Sequence, residues 1–137
     1  MRILVAIIAL LMVGCAENPY VDMKAVDPDC WDRAVSIFYE NEDTESLHNL
    51  SVALRYNSDF KADTLTVLLQ TSLPDAHQFR ECFTLHLRRE YTAAAVTASE
   101  TVPYRDSCLL NQKGCYIFTI TPCRAVEGIE AVGIGIK

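Results

Sequence analysis

From Asp29 onward, apolar side chains recur at every second position, and that period of two leaves few options for the fold. Val35, Ile37 and Tyr39 alternate with Ser36, Phe38 and Glu40. Leu50, Val52, Leu54 and Tyr56 alternate with Asn49, Ser51, Ala53 and Arg55. Leu65, Val67 and Leu69 alternate with Thr64, Thr66, Leu68 and Gln70. Phe79, Phe83, Leu85 and Leu87 share a face that Glu81 interrupts. Tyr116, Phe118 and Ile120 alternate with Cys115, Ile117, Thr119 and Thr121. The chain closes with Ile129, Ala131 and Gly133 opposite Val132, Ile134 and Ile136. Successive side chains of a strand point to opposite faces, so each run predicts a strand with one buried face. Ala93–Ala98 and Thr101–Tyr104 are weaker candidates of the same kind.

The connections have turn chemistry. Asn57-Ser58-Asp59 and Leu73-Pro74-Asp75 are turn formers, and Asn111-Gln112-Lys113-Gly114 ends in a residue that tolerates positive φ. No helical stripe of period 3.6 lasts three turns outside the alanine-rich 90s, which excludes a doubly wound α/β fold. The expectation is one all-β domain over 29–137, an antiparallel β-sandwich of about 7–8 strands; a jelly roll is one such solution. Gly128, Gly133 and Gly135 in the last strand region predict a bulge or a close backbone approach, with a ligand-facing edge as the alternative.

The start of the chain follows other rules. Met1 and Arg2 precede eleven apolar residues, Ile3 to Val13, and polar Glu17, Asn18 and Pro19 follow Cys15. That is the length of an export signal and well short of the ~20 residues that span a bilayer. Leu11-Met12-Val13-Gly14-Cys15 resembles a bacterial lipobox, with Met12 where leucine is commoner. The resemblance implies cleavage between Gly14 and Cys15, a diacylglycerol on the Cys15 sulfur and an acylated new amino terminus. Two or more acyl chains anchor a protein stably without spanning the membrane. Ala16 is not the aspartate that retains enterobacterial lipoproteins at the inner membrane, which favours the outer membrane. The expected layout is a signal peptide over 1–14, the acylated cysteine and a tether over 15–28, and then the domain.

The chain carries 18 acidic and 12 basic residues, a net charge of -6. An acidic surface does not draw in nucleic acid, so no nucleic-acid partner is expected. Besides Cys15 there are Cys30, Cys82, Cys108, Cys115 and Cys123, an odd number for an oxidising compartment. Cys108–Cys115 and Cys30–Cys123 are candidate disulfides. Their spacing does not match zinc ligands, and no metal or other cofactor is expected. Cys82 and His86 lie about 13 Å apart along a strand, too far for a dyad. The acidic stretch Glu40 to Glu45 lacks the alternation of a calcium loop. No nucleophile elbow, phosphate loop or zinc-protease motif occurs, so no catalytic residue is assigned and no enzyme is expected. Asp63-Thr64-Leu65 resembles the O-glycosylation sequon of Bacteroidota envelopes.

With the strands placed, the chain resembles the gliding-motility lipoprotein GldH family of Bacteroidota. Behind the lipobox come Trp31, the strand Val35-Ser36-Ile37-Phe38, the strand Leu50 to Tyr56, the turn Asn57-Ser58-Asp59-Phe60 and the apolar strand Leu65 to Leu69. The end carries most of the likeness, in Gly114-Cys115-Tyr116-Ile117-Phe118-Thr119-Ile120 and Val126-Glu127-Gly128-Ile129-Glu130-Ala131-Val132-Gly133-Ile134. The chain departs in the middle, where the family's tryptophan-glycine loop is missing, and in its extra cysteines. The resemblance implies a lipid-anchored outer-membrane scaffold that supports gliding and type IX secretion through envelope protein partners. The alternative is a carbohydrate-binding sandwich, with Trp31, Phe60, Tyr91 and Tyr104 as the stacking aromatics.

Overall fold

A computed structural model describes residues 19–89 and 97–137. Eight strands are present: β1 (Tyr20–Ala25), β2 (Val35–Asn41), β3 (Leu47–Asn57), β4 (Thr64–Ser72), β5 (Gln78–His86), β6 (Thr97–Leu109), β7 (Gly114–Pro122) and β8 (Ile129–Ile136). They form two antiparallel four-stranded sheets, in the orders β1-β8-β3-β6 and β2-β7-β4-β5. Strand 1 pairs with 8, 2 with 7, 3 with 6 and 4 with 5, alternately in the two sheets. That is a long antiparallel ribbon rolled up on itself, the jelly roll. The all-β expectation and the sandwich are both met.

The inner faces are the ones the alternation marked. Val35 and Ile37 of β2, Leu50, Val52, Leu54 and Tyr56 of β3, Leu65, Val67 and Leu69 of β4, and Tyr116, Phe118 and Ile120 of β7 form one buried cluster with Val132, Ile134 and Ile136 of β8. Each fully buried apolar side chain of this size stabilises by roughly 1.5–3 kcal/mol. Two residues break the pattern. Ile129, which the alternation set opposite Val132, is buried in the same cluster, because the β3–β8 pairing shifts register between Arg55 and Tyr56. Phe79 has inward parity but is 62% exposed, because it is the second residue of β5, an edge strand, beside the open side of the sandwich.

Two sequence expectations are corrected. Residues 20–25, assigned to the tether, form β1, which pairs with β8 from Tyr20↔Ile136 to Ala25↔Ala131. β1 is an edge strand with weak alternation, and it is held by the backbone ladder more than by its own side chains. The two weak strands of the 90s and 100s are one 13-residue strand, β6, in the part that is described; residues 93–96 lie outside the described residues.

The expected close approach occurs at Gly133. A Cβ there would lie 1.8 Å from the Asp22 carbonyl oxygen of β1. Gly128 is the turn case: its φ is +88°, and a Cβ would meet the Phe60 nitrogen at 2.2 Å.

The sandwich has two distinct ends. One holds Tyr20, Lys137 and the loops 42–46, 73–77 and 110–113. It is tied together by buried Asn41, whose side-chain amide donates to the carbonyls of Leu110 and Gln112, both at 2.9 Å, and by Gln112, which donates to Asp75 at 2.8 Å. The Tyr20 and Tyr39 rings meet there at 5.0 Å. The other end holds Trp31, bridged to Val126, with Phe60 and Gly128.

Gly133→Val should displace β1 and cost about 3 kcal/mol, as overpacking against backbone does. Gly135→Ala should cost less, because the tight contact of its Cβ, at 2.6 Å, would be with the rotatable Ser51 hydroxyl and not with backbone. Urea unfolding of the two variants beside the parent measures both.

Candidate functional site

The open side of the sandwich lies between the edge strands β5 and β6, one from each sheet. A cavity of about 310 Å³ there is lined by Leu73, Phe79, Tyr104, Leu109, Leu110 and Phe118, among others. Phe79 and Leu109 are exposed, at 62% and 49%. Apolar side chains of this size on an open groove mark a surface suited to contact.

Glu81 explains why the apolar face of β5 is interrupted. Its carboxylate accepts hydrogen bonds from the Tyr104 hydroxyl and the Arg105 guanidinium of β6. It therefore ties the two sheet edges together across the groove. Phe83 packs edge-on to Tyr104 with ring centroids 5.0 Å apart, and Arg105 lies over the same ring at 4.9 Å. Partial burial, and then the Glu81 carboxylate, push the Tyr104 hydroxyl well above its usual pKa. Tyr104 thus stays a neutral donor throughout the physiological range.

A second tie closes the same side further along. Glu100 of β6 accepts from the Tyr56 hydroxyl and from the backbone N–H groups of Arg88, at 2.7 Å, and Arg89, at 3.3 Å. Partial burial opposes its ionisation, but those three bonds win and hold the carboxyl below its usual pKa. Arg89 donates to the carbonyls of Phe60, at 2.6 Å, and Ala62, at 3.2 Å. Its guanidinium also covers the Tyr56 and Phe60 rings, at 5.4 Å and 5.6 Å.

The structure separates the four aromatics proposed for sugar stacking. Trp31 is 2% exposed and Phe60 3%, so neither offers a ring face to a ligand. Trp31 spends its indole N–H on the Arg33 carbonyl at 2.7 Å, and Phe60 lies under Arg89. Both are apolar residues in the loops that close one end of the core, and sequence alternation does not reveal such positions. Tyr104 lines the groove, half-buried. Tyr91, Gly14 and Cys15 lie outside the described residues.

The five described cysteines are free thiols. Cys108 packs against the core from β6, whereas Cys115 lies on the outward row of β7, so they do not form the expected pair. Cys115 points its thiol at the Tyr116 carbonyl, 3.8 Å away. Cys30 is exposed beside the Trp31–Val126 bridge, and it does not pair with Cys123 either. The thiol that faces Cys123 is that of Cys82; burial first, and then this neighbour, raise the Cys123 pKa. The two flank β4 on its outer face, a neighbourhood set by strand order.

In the acidic stretch, Asp43 serves its own loop. Hydrogen bonds from the Ser46 side chain, then from the backbone N–H groups of Ser46 and Glu45, lower its pKa to about 2. No group of three or more His, Cys, Asp or Glu residues suited to a metal ion is found among the described residues. Thr64 is exposed at the start of β4, opposite His86.

These features define an eight-stranded jelly roll with an apolar groove along one open side and its carboxylates used as ties. The model of the GldH lipoprotein family matches residues 18–136, and the chain belongs to that family. Membership goes with a membrane-anchored place in the cell envelope. No curated protein matches the chain.

Glu100 has a depressed folded pKa, so its contribution is complete above the unfolded value near 4.3 and fades as pH falls through the folded one. The urea midpoint of the parent should therefore drop below about pH 4, and Glu100→Gln should flatten that decline. Parallel curves for the two proteins would disprove the assignment.

Proposed function

We propose that this protein is a non-enzymatic, lipid-anchored scaffold of the outer membrane that supports the gliding or type IX secretion machinery of a Bacteroidota host. The observation that carries the reading is the run of the family match, which begins at residue 18, three residues past the lipobox cysteine Cys15. An anchor followed directly by a domain of that family leaves contact as the natural mode of action. The groove supports this, since its carboxylate, Glu81, is engaged by Tyr104 and Arg105 as a tie between sheets. The partners are other envelope proteins, and capture of the acylated protein from native envelopes identifies them. A deletion strain with intact secretion and surface motility would remove the scaffold role.

A carbohydrate-binding reading keeps one observation in its favour: Tyr104 and exposed Phe79 line the same groove. Binding of envelope polysaccharide that Tyr104→Ala and Phe79→Ala abolish would establish it.

The anchor itself is tested at Cys15. Cys15→Ser should block both acylation and cleavage, giving a heavier chain that retains its signal peptide and takes up no metabolic palmitate label. Unchanged metabolic palmitate labelling of the variant would show that the lipid is elsewhere.

A further inference from the structure

We propose that the end of the sandwich carrying Tyr20 and the loops 42–46, 73–77 and 110–113 lies directly on the bilayer surface, with Leu47, Leu109 and Phe79 in contact with lipid. The proposal rests on acylation of Cys15. Its first support is covalent. Five residue steps separate Cys15 from Tyr20, the first residue of β1. Fully extended, that is at most about 18 Å. Because residues 20–25 are a paired strand and not a tether, the slack of a long linker is gone. The chain enters the sandwich at one end, and β1 runs away from it. The opposite end lies a strand length off, roughly 23 Å for the eight residues of β8.

The second support is the distribution of exposed apolar surface. The large hydrophobic residues exposed among those described are Val21, Phe38, Leu47, Phe79 and Leu109. Val21, Leu47, Phe79 and Leu109 belong to the half of the sandwich that holds Tyr20, and Phe38 is the middle residue of β2. Val21 follows Tyr20, and the Phe38 carbonyl accepts from the Tyr20 hydroxyl at 3.2 Å. Leu47 and Leu109 are register partners at the ends of β3 and β6, next to the Asn49–Lys137 backbone pair. Phe79 follows Gln78, the register partner of Ser72, where β5 leaves the loop 73–77. At the other end, the large apolar residues Trp31 and Phe60 are buried. An exposed apolar rim at the end nearest the anchor matches the depth to which interfacial elements settle into the headgroup and acyl boundary. A lipid surface is favoured over a second copy because the anchor already holds this end beside lipid at high effective concentration.

The rim also carries the acidic loop with Glu42, Asp43 and Glu45, which disfavours a strongly anionic surface. Zwitterionic vesicles are therefore the probe. The acylated full chain is reconstituted in phosphatidylcholine and phosphatidylethanolamine vesicles, with and without bromine on the acyl chains, a short-range quencher of tryptophan. The parent has one tryptophan, Trp31, at the far end, and it serves as the internal control. Leu47→Trp and Phe79→Trp each add a second emitter at an exposed position. The expected result is that the added emission falls at least about twofold in brominated vesicles while Trp31 emission is unchanged, as contact at interfacial depth requires. If the protein floats with the vesicles and neither added tryptophan is quenched, the orientation is overturned while the anchor stands; burial of this end against a second copy gives the same overturning result. Quenching of Trp31 to the same extent also overturns it. Failure of the acylated protein to float overturns the anchor reading and this one together.

Discussion

The interaction on which the rest depends is the contact between the inner faces of the two sheets. Ile37, Val67, Leu69, Phe118 and Ile120 of one sheet meet Val52, Leu54, Val132 and Ile134 of the other, all essentially inaccessible to water. Neither sheet is stable alone, since each would expose a continuous apolar face. The rolled-ribbon topology lets one chain supply both faces alternately, so every connection either crosses between sheets or turns tightly. The two ends of the sandwich are therefore made of loops, while the two sides are made of edge strands.

The two sides are managed differently. On the β1–β2 side, the Tyr20 hydroxyl reaches the Phe38 carbonyl and Lys24 stacks over the Phe38 ring at 5.3 Å. On the β5–β6 side, charged ties hold the sheets, with Glu81 gripping Tyr104 and Arg105, and Glu100 gripping Tyr56 and the backbone of Arg88 and Arg89. A carboxylate satisfied by several donors can be half-buried without a large penalty. The consequence is a groove between ties, apolar inside and polar at the rim. A surface built this way can receive another molecule without opening the core.

The proposed anchor would also be coupled to the fold. Because the chain becomes β1 at Tyr20, the domain is joined to Cys15 by a short link at one chosen end. With the proposed lipid on Cys15, orientation relative to the membrane would follow from covalent geometry as much as from surface chemistry. A long linker would have left the groove free to face any direction.

Sequence alone determined a good deal. The period of two placed the inward residues of β2, β3, β4 and β7, because burial of one strand face writes itself directly into local alternation. The fold class and the family were legible from short contiguous patterns. So was the close approach at the glycines of β8, since a missing Cβ in a strand has few other uses. What tertiary structure decided is everything that depends on which strands become neighbours. β1 was read as tether because its hydrogen bonds come from β8, more than a hundred residues away. Glu81 looked like an interruption until Tyr104 and Arg105 were opposite it. Trp31 and Phe60 are candidates for sugar stacking on sequence and core caps in the fold, because loop residues that cap a core carry no periodicity. The cysteine neighbours were misread because Cys82 meets Cys123 across β4, and no spacing along the chain records strand order. Local patterns report which way a side chain faces, whereas pairing between distant segments fixes what it faces.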